Sequence, residues 1–320
     1  MKLLITGAAG FIGSNYVNDL VGRDSIWSEI VVLDLLTYAG NLKNLEFSLN
    51  DKRVKFVRGD VRDTKLVNDI MVKVDGVVHF AAESHVDRSI AHPEGFVSTN
   101  VLGTFTLLQS AYEHDVDFFL NVSTDEVYGS IESGSWNELS PICPNSPYSA
   151  SKASSDLMAL AYWKTFGLPV LISRCSNNFG PFQYPEKFIP LAVTNLIDNS
   201  PIPIYGNGLN SRDWLHVLDH CDALNNIIEK GVPGEIYNIG GGTEMSNIDL
   251  ARKLIKIFGK DESYLEFVKD RKGHDFRYSV EFNKVAKTCG YSPKRNFLES
   301  IEETVNWYRK NETWWRPLKK

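Results

Sequence analysis

The amino-acid sequence predicts an α/β fold: a Rossmann-like, doubly wound parallel sheet with a smaller α/β C-terminal domain. Two observations lead to this fold class. Short apolar runs of strand length alternate with longer segments of helical periodicity through the first half of the 320 residues. The first apolar run also leads directly into a glycine-rich turn that opens a helix, as at the start of a βαβ unit.

The predicted elements of the first half follow one another along the chain, with the longest intervals at residues 34–54 and 124–146. Strands are predicted at residues 2–6, 29–33, 55–57, 76–82, 118–123 and 168–175, and helices at residues 11–21, 64–74, 96–114 and 147–166. Residues 176–181 interrupt this pattern. Beyond them we predict strands at residues 202–205 and 235–239, helices at residues 185–199 and up to 230, and a helical end with the aromatic residues Trp307, Tyr308, Trp314 and Trp315. We interpret this aromatic patch as packing rather than as a ligand site.

Composition and charge exclude several classes of function. The 34 lysines and arginines are outnumbered by 40 acidic residues, and the net charge of −6 argues against a nucleic acid as the main partner. We expect no membrane contact, because no apolar run could span a bilayer and residues 1–5 show no signal-like start. The scattered cysteines lack Cys-x-x-Cys spacing and the histidines form no ligand cluster, so we expect a cytoplasmic protein with reduced thiols and no metal.

Three glycines follow the first predicted strand at a spacing of three residues. Gly7, Gly10 and Gly13 let the backbone turn tightly and approach a pyrophosphate at the N-terminus of the next helix. The second strand ends in Asp34, where a carboxylate meets the adenosine ribose hydroxyls and repels a 2′-phosphate. A tight turn with an incidental surface Asp is the alternative, but the order of strand, turn, helix, strand and acid favours an NAD site.

Other candidate contacts follow the later strands, at the carboxyl ends where ligands bind in such sheets. They are Asp60, the pair Ala81-Ala82 and the pair Ser123-Thr124. Asp60 is a candidate for contact with the adenine amine, and a turn or helix N-cap position explains this residue equally well.

A tyrosine and a lysine, Tyr148 and Lys152, stand four residues apart at the start of the helix that Pro147 opens. Residues at i and i+4 share one helix face, so the phenol and the ammonium can face one site. A nearby positive charge stabilises a phenolate and lowers the phenol pKa from about 10, which makes the pair a candidate acid/base. The pair alone is a weak indication, because the same spacing arises by chance on surface helices.

Two adjacent carboxylates, Asp125 and Glu126, follow the strand predicted at residues 118–123. If their surroundings separate their pKa values, one can act as an acid and the other as a base. The hydroxyl of Thr124 beside them can bind a sugar oxygen or the tyrosine phenol. When such a pair occurs without other motifs, it more often indicates a polar loop with solvated carboxylates.

Together these motifs resemble those of the extended short-chain dehydrogenases/reductases, and among them the dTDP-glucose 4,6-dehydratase family. The resemblance covers nearly the whole chain and rests on residues 36–42, 81–89, 123–129 and 147–153 beside the glycine-rich turn. It implies a retained NAD cofactor, dTDP-glucose as the substrate, oxidation at C4, elimination of water across C5 and C6, and reduction at C6. Related epimerases carry small residues at the positions of Asp125 and Glu126, so the acid pair favours a dehydratase.

The resemblance also implies roles for individual residues. Tyr148 and Lys152 act at C4, Glu126 is the base at C5, Asp125 is the acid at C6, and Thr124 positions the sugar. The implied NAD contacts are Gly7, Gly10, Phe11, Ile12, Gly13, Asp34, Leu35, Thr37, Asp60, Val61, Ala81, Ala82, Ser84, Thr99, Ser123, Tyr148, Lys152 and Asn178. The implied nucleotide-sugar contacts are Ser84, Thr124, Asn177, Lys187, Pro203, Tyr205, Arg212, Asn247, Arg271 and His274, of which the arginines suit a diphosphate.

The break in the pattern near residue 176 places the domain boundary. We expect an NAD-binding domain at residues 1–176 and a nucleotide-sugar-binding substrate domain at residues 177–320. The resemblance implies that a segment of about residues 213–239 belongs to the NAD-binding domain. The resemblance also implies a homodimer that pairs the helices at residues 96–114 and 147–166. The open alternatives are a UDP-glucose 4,6-dehydratase, an NAD-dependent nucleotide-sugar epimerase or decarboxylase, and a non-catalytic dinucleotide sensor, which has no need of the acid pair.

Overall fold

The computed structural model describes residues 1–23 and 26–319. The strands are β1 (Lys2–Thr6), β2 (Glu29–Asp34), β3 (Val54–Arg58), β4 (Gly76–His79), β5 (Phe118–Thr124), β6 (Val170–Cys175), β7 (Asn177–Phe179), β8 (Ile202–Tyr205), β9 (Ser211–His216), β10 (Ile236–Ile239), β11 (Glu244–Ser246) and β12 (Leu265–Val268). The helices are α1 (Phe11–Gly22), α2 (Thr64–Met71), α3 (Val86–Ala91), α4 (Glu94–Phe96), α5 (Thr104–Glu113), α6 (Pro147–Phe166), α7 (Phe188–Ile197), α8 (Val217–Lys230), α9 (Asn247–Ile257), α10 (Asn283–Cys289), α11 (Phe297–Lys310) and α12 (Glu312–Trp315).

A sheet of seven strands dominates the described residues, in the order β10, β6, β5, β4, β1, β2, β3. Every neighbouring pair in it is parallel. Apolar side chains of α1 and α8 bury one face, and those of α2, α5 and α6 bury the other. The strand order reverses between β1 and β4, where ligands bind beside the carboxyl ends in such sheets. This confirms the predicted Rossmann-like, doubly wound parallel sheet.

Strand β10 enters this sheet only after the chain has left it. Strands β11, β9 and β7 form a three-stranded sheet, and β12 and β8 form a two-stranded one. Helix α8 then leads back to β10, which pairs in parallel with β6 and sets Ile236 opposite Ile172. The two halves of the chain are therefore interwoven.

A separate core lies in the second half of the chain, where α7, α9 and α11 pack around β8 and β9. Of the aromatic patch noted in the sequence, Tyr308, Trp314 and Trp315 are buried here and Trp307 is partly buried. In residues 1–23 and 26–319, no helix combines the length and the apolar character that crossing a bilayer requires.

Some predicted boundaries differ from the structure. Strand β4 ends three residues before residue 82, and beyond Phe80 the backbone bonds to side chains, beginning with the Ala81 N–H, which donates to Thr6 Oγ1 (3.3 Å). The Asn100 amide accepts from the Glu83 N–H (2.8 Å) and donates to the Glu83 carbonyl oxygen (3.0 Å). The helix predicted at residues 96–114 contains a wider π-helical stretch, Val97–Gly103, which carries Asn100. Strand β7 lies inside the predicted break at residues 176–181.

Candidate active site

The glycine-rich turn between β1 and α1 is packed too closely to accept side chains. Gly7 has a positive φ of 67°, and a Cβ atom there would lie 2.5 Å from the Ala81 nitrogen. A Cβ atom on Gly13 would press against the Gly7 carbonyl oxygen. Gly10 is the N-cap of α1 and offers no side-chain hydrogen bond to the first N–H groups of the helix. These N–H groups therefore form an open anion-binding end, which fits the pyrophosphate of a dinucleotide.

Asp34 lies at the carboxyl end of β2 and is fixed by the backbone. It accepts hydrogen bonds from the N–H groups of Ala9 (2.9 Å) and Leu36 (2.8 Å), and burial raises the pKa of its carboxyl. Asp60 at the end of β3 is held differently, since the Arg62 guanidinium and N–H donate to it and lower its pKa. Asp60 is not the N-cap of α2, a position that Asp63 fills.

These elements border a cleft of about 300 Å³ along the carboxyl ends of the parallel strands. Every residue predicted to contact NAD lines the cleft, and so do all five residues predicted to be catalytic. Among the predicted substrate contacts, Ser84, Thr124, Asn177 and Lys187 line it, whereas Pro203, Tyr205, Arg212, Asn247, Arg271 and His274 do not. The Lys187 ammonium donates to the Ser84 carbonyl oxygen at 2.7 Å.

Helix α6 carries Tyr148 and Lys152 into this cleft. The helix begins with a capping box in which Ser146 and Ser149 bond each other's backbone N–H groups, which fixes its first turn. Burial, followed by the negative charge of Glu126, holds the pKa of Tyr148 well above its usual value, and a hydrogen bond with Thr124 lowers it. The Lys152 ammonium is 4% exposed and donates to the Val122 carbonyl oxygen at 2.7 Å, so it is anchored to β5.

The predicted lowering of the phenol pKa by Lys152 is not the dominant effect in the structure. Burial opposes the ionisation of both groups, because it also lowers the pKa of Lys152. Burial therefore disfavours both the phenolate of Tyr148 and the ammonium of Lys152.

Asp125 and Glu126 open a short turn, Asp125–Tyr128, that Thr124 caps. Asp125 is 2% exposed, and burial and then the Glu126 charge raise the pKa of its carboxyl well above its usual value. Burial also raises the pKa of Glu126, but the cations Arg271, Lys187 and Arg212 oppose this effect. The two carboxyls therefore have the unequal surroundings that an acid–base pair needs.

One oxygen of Asp125 is available to a ligand. Its Oδ2 atom is buried and has no hydrogen-bond partner among the described residues. Because a buried polar group without a partner is costly, such an atom points to a ligand that completes it.

Comparisons with known proteins agree with this site. A sequence model of the GDP-mannose 4,6 dehydratase family matches residues 4–304. A dTDP-glucose 4,6-dehydratase of Streptomyces antibioticus is 57% identical over 325 residues, which cover 100% of this chain and 96% of that protein. The chain belongs to the dTDP-glucose 4,6-dehydratase family.

Solved structures place the chain within this family. DesIV, a dTDP-glucose 4,6-dehydratase of Streptomyces venezuelae solved with NAD bound, is 53% identical with a TM-score of 0.98, and each chain is covered completely. A UDP-glucuronic acid 4-epimerase of Bacillus cereus, solved with UDP-glucuronic acid and NAD, is 28% identical with a TM-score of 0.91, covering 97% of this chain and 99% of that one. The shared fold extends to epimerases, but the sequence is much closer to the dehydratases.

Three of the six predicted nucleotide-sugar contacts that do not line the cleft, Tyr205, Arg271 and His274, lie close together. The Tyr205 hydroxyl donates to Asp87 Oδ2 (3.2 Å), and Arg271 lies 3.5 Å from the other oxygen of that carboxylate. His274 stands edge-on to the Tyr205 ring, with centroids 6.0 Å apart. The Nε atom of Arg271 is buried without a partner among the described residues, so it is free to bind a ligand.

The remaining predicted sugar-nucleotide contacts lie around this group. Arg212 is 4% exposed, donates to the Asp275 carbonyl oxygen (2.9 Å) and lies over the Tyr278 ring. Pro203 is on β8 with Tyr205, and Asn247 opens α9, where its N–H donates to the Asn210 carbonyl oxygen.

A cluster at the mouth of the cleft was not predicted. The Tyr38 hydroxyl donates to Glu186 Oε1 (2.9 Å), and the Arg88 guanidinium donates to Glu186 Oε2 (3.1 Å). Arg88 also stacks on the Tyr38 ring, 3.7 Å from its centroid. Both Tyr38 and Glu186 line the cleft. Their sequence neighbours Thr37 and Lys187 are predicted contacts, and this proximity was the only indication of the cluster in the sequence. The hydrogen bond between Tyr38 and Glu186 could not be predicted, because these residues are far apart in the sequence.

Proposed function

We propose that the chain is an NAD-dependent dTDP-glucose 4,6-dehydratase, a lyase that forms dTDP-4-keto-6-deoxyglucose and water. One observation carries the proposal: Asp125 and Glu126 lie beside Tyr148 in one buried cleft, with unequal electrostatic surroundings. An epimerase that only oxidises and re-reduces C4 has no use for a second acid–base pair. The high identity to dehydratases supports the same choice.

Bound NAD would supply the chemistry that side chains lack, by taking a hydride from the sugar and returning it in each turnover. Gly7, Gly10 and Gly13 bring the backbone close to its pyrophosphate, and Asp34 receives the adenosine ribose hydroxyls. The cleft lined by the predicted NAD contacts supports this assignment.

The first proton transfer falls to Tyr148. Tyr148, as a phenolate, takes the proton of the C4 hydroxyl and becomes a phenol, Thr124 hydrogen bonds its oxygen, and Lys152 supplies a fixed positive charge from the next turn of α6. Because burial raises the phenol pKa, the phenolate of this proposal would rely on the positive charges of Lys152 and of the nicotinamide.

Elimination falls to the acid pair. Once C4 is a ketone, the proton on C5 is acidic, and Glu126 removes it as a base because three cations favour its ionised form. Burial and the Glu126 charge raise the pKa of Asp125 and so favour its protonated form, and in this proposal Asp125 delivers its proton to the departing C6 hydroxyl, so that water leaves.

The nucleotide end of the substrate belongs to the second half of the chain. Lys187, Arg212 and Arg271 are the diphosphate ligands in this proposal, with Tyr205 and His274 beside them. We propose accordingly that residues 1–176 with about 213–239 bind NAD and that the rest of residues 177–320 binds the nucleotide sugar. The pairing of β10 with β6 supports this division.

We further propose a cytoplasmic homodimer. Large apolar side chains are exposed on two neighbouring helical segments: Val97, Leu102 and Phe105 around α5, and Leu157 and Phe166 on α6. A second copy would remove this apolar surface from water. The four cysteines are free thiols, which suits a reducing compartment.

The deciding experiment is incubation with dTDP-glucose and, in parallel, UDP-glucose, without added NAD, followed by mass spectrometry of the nucleotide sugar. Loss of one water from the dTDP sugar is expected. Loss from the UDP sugar alone would change the substrate and keep the mechanism. An unchanged mass with inverted C4 would identify an epimerase, and no reaction with intact NAD binding would support a dinucleotide sensor.

A further inference from the structure

The buried aromatic patch in the C-terminal part of the chain is linked to the glycine-rich turn by the side chain of Asn44. Trp314 donates its indole N–H to Asn44 Oδ1 at 2.8 Å. Asn44 in turn donates from Nδ2 to the Ala9 carbonyl oxygen at 2.9 Å. Trp314 is 7% exposed and Asn44 is 2% exposed, so water does not compete for these bonds. A chain of two buried hydrogen bonds therefore links residue 314 to residue 9.

Ala9 is the second of the two residues between Gly7 and Gly10. Its N–H donates to Asp34, and its carbonyl oxygen also accepts from the Asn41 N–H at 3.0 Å. The Ala9 carbonyl and the Gly10 N–H belong to one peptide plane, which leads into the N-terminus of α1. The Gly10 N–H of that plane donates to the Gly7 carbonyl oxygen at 3.2 Å, so bonds to the Ala9 carbonyl hold the closed shape of the turn from which α1 starts.

The hydrogen bond from Trp314 fixes the orientation of the Asn44 side-chain amide. An indole N–H can only donate, so it selects the amide oxygen, and a carbonyl oxygen can only accept, so the amide nitrogen is turned toward Ala9. The indole itself is held by rings on three sides: Trp307 (centroids 5.0 Å apart), Phe182 (5.9 Å) and Tyr308 (6.4 Å).

We infer that Trp314 is a positioning residue for the dinucleotide site, which holds the glycine-rich turn in its binding shape by orienting Asn44. The inference rests on the proposed use of that turn to bind NAD. Trp314 does not line the cleft itself, so its effect is on cofactor affinity and not on the chemical step.

The test compares Trp314→Phe with Trp315→Phe. Trp315 is fully buried on the same helix, and its indole donates to the Tyr308 carbonyl oxygen (2.8 Å) instead of to Asn44. Trp314→Phe should weaken NAD binding about tenfold, because Asn44 is left with an unpaired buried oxygen. Trp315→Phe should leave the NAD affinity within about twofold. The NAD content of the purified proteins and the NAD dissociation constant are measured, with kcat at saturating NAD expected to stay near that of the parent.

Asn44→Leu provides a second measurement that leaves the aromatic patch intact, and it serves if Trp314→Phe fails to fold. It should cost at least the same affinity, and adding Trp314→Phe to it should cause no further loss. Equal losses for both tryptophan variants, additive losses with Asn44→Leu, or an unchanged affinity in Trp314→Phe would each overturn the inference. Because NAD binding is measured without a sugar, a parent protein that binds NAD but lacks dehydratase activity would refute the proposed function alone.

Discussion

Arg174 donates from Nε to the Asp156 carboxylate at 2.9 Å, and both side chains are buried. Asp156 lies one helical turn after Lys152 on α6. The Arg174 guanidinium in turn lies 4.7 Å from the centroid of the Tyr128 ring, and Tyr128 belongs to the turn that carries the acid pair. The buried ion pair thus connects the helix of the proposed C4 acid/base to the turn of the proposed C5–C6 pair.

Removing one partner of this ion pair should destabilise the protein strongly. Arg174→Met leaves the Asp156 charge buried without its partner, which should lower the free energy of unfolding by about 3–5 kcal/mol. Asp156→Leu combined with Arg174→Met should recover part of that loss, because no unpaired buried charge remains, whereas the buried Asn121 amide loses its hydrogen bond to Asp156 (3.0 Å). Urea denaturation of the three proteins measures this. A double variant as unstable as the single one would show that packing, and not charge, holds the pair.

Glu126→Gln should stop the reaction after oxidation at C4. The amide cannot take the C5 proton, so kcat should fall by about 10²–10⁴-fold, while Tyr148 still serves C4. Addition of dTDP-glucose should then produce the near-ultraviolet absorbance of the reduced cofactor without release of the keto-deoxy product. Glu132→Gln, an exposed glutamate nearby, is the matched control and should behave as the parent. Normal product formation by Glu126→Gln would remove Glu126 from the mechanism.

Asp125→Asn should make the protein more stable and less active. In the unfolded chain this carboxyl is ionised at pH 7, and since burial raises its pKa in the folded state, its ionised form is less favourable there than in the unfolded chain. The amide avoids this, with a gain on the order of 1 kcal/mol at pH 7. The gain should shrink toward pH 4 and vanish below it, where the carboxyl is protonated in both states.

Thermal unfolding of Asp125→Asn at several pH values checks this sign. Asp261→Asn is the control, since Asp261 is exposed and hydrogen bonding to Ser263 lowers its carboxyl pKa, so no gain is expected. A gain for Asp125→Asn that grows as the pH falls would contradict the raised pKa.

Arg271→Met should impair binding of the nucleotide sugar more than the chemistry. A charged hydrogen bond to a diphosphate contributes about 1.5–3 kcal/mol, so KM should rise roughly 10- to 150-fold. The neighbouring Lys272 is exposed, and Lys272→Met controls for the loss of one positive charge from the same loop. Steady-state kinetics separates KM from kcat. A similar rise in both variants would indicate a general charge effect.

Local sequence patterns were sufficient for the central sheet and for the glycine-rich turn. Residues 2–6 match β1. The glycine-rich turn could be predicted because the spacing of its glycines is itself a local pattern in the sequence. Strand β7 was missed because it has three residues and depends on pairing with β9, which lies far along the chain. Hydrogen-bond partners such as Tyr38 and Glu186 were missed for the same reason.

The electrostatics of the site could be predicted only in part. The sequence placed Tyr148 and Lys152 on one helix face, but the direction of the phenol pKa depends on how deeply the cleft buries it. The different surroundings of Asp125 and Glu126 likewise depend on cations that come from other elements. The roles of these residues in catalysis stay predictions until the variants are measured.

The late arrival of β10 has a consequence during synthesis on the ribosome. Until residues 236–239 have emerged, β6 is an open edge with unpaired N–H and C=O groups, next to a hydrophobic face that is already present. The residues between β6 and β10, which form β7, α7, β8, β9 and α8, must be synthesised first. A nascent chain therefore passes through a period when strand addition from another molecule competes with its own completion, and rapid translation of this stretch would shorten that exposure.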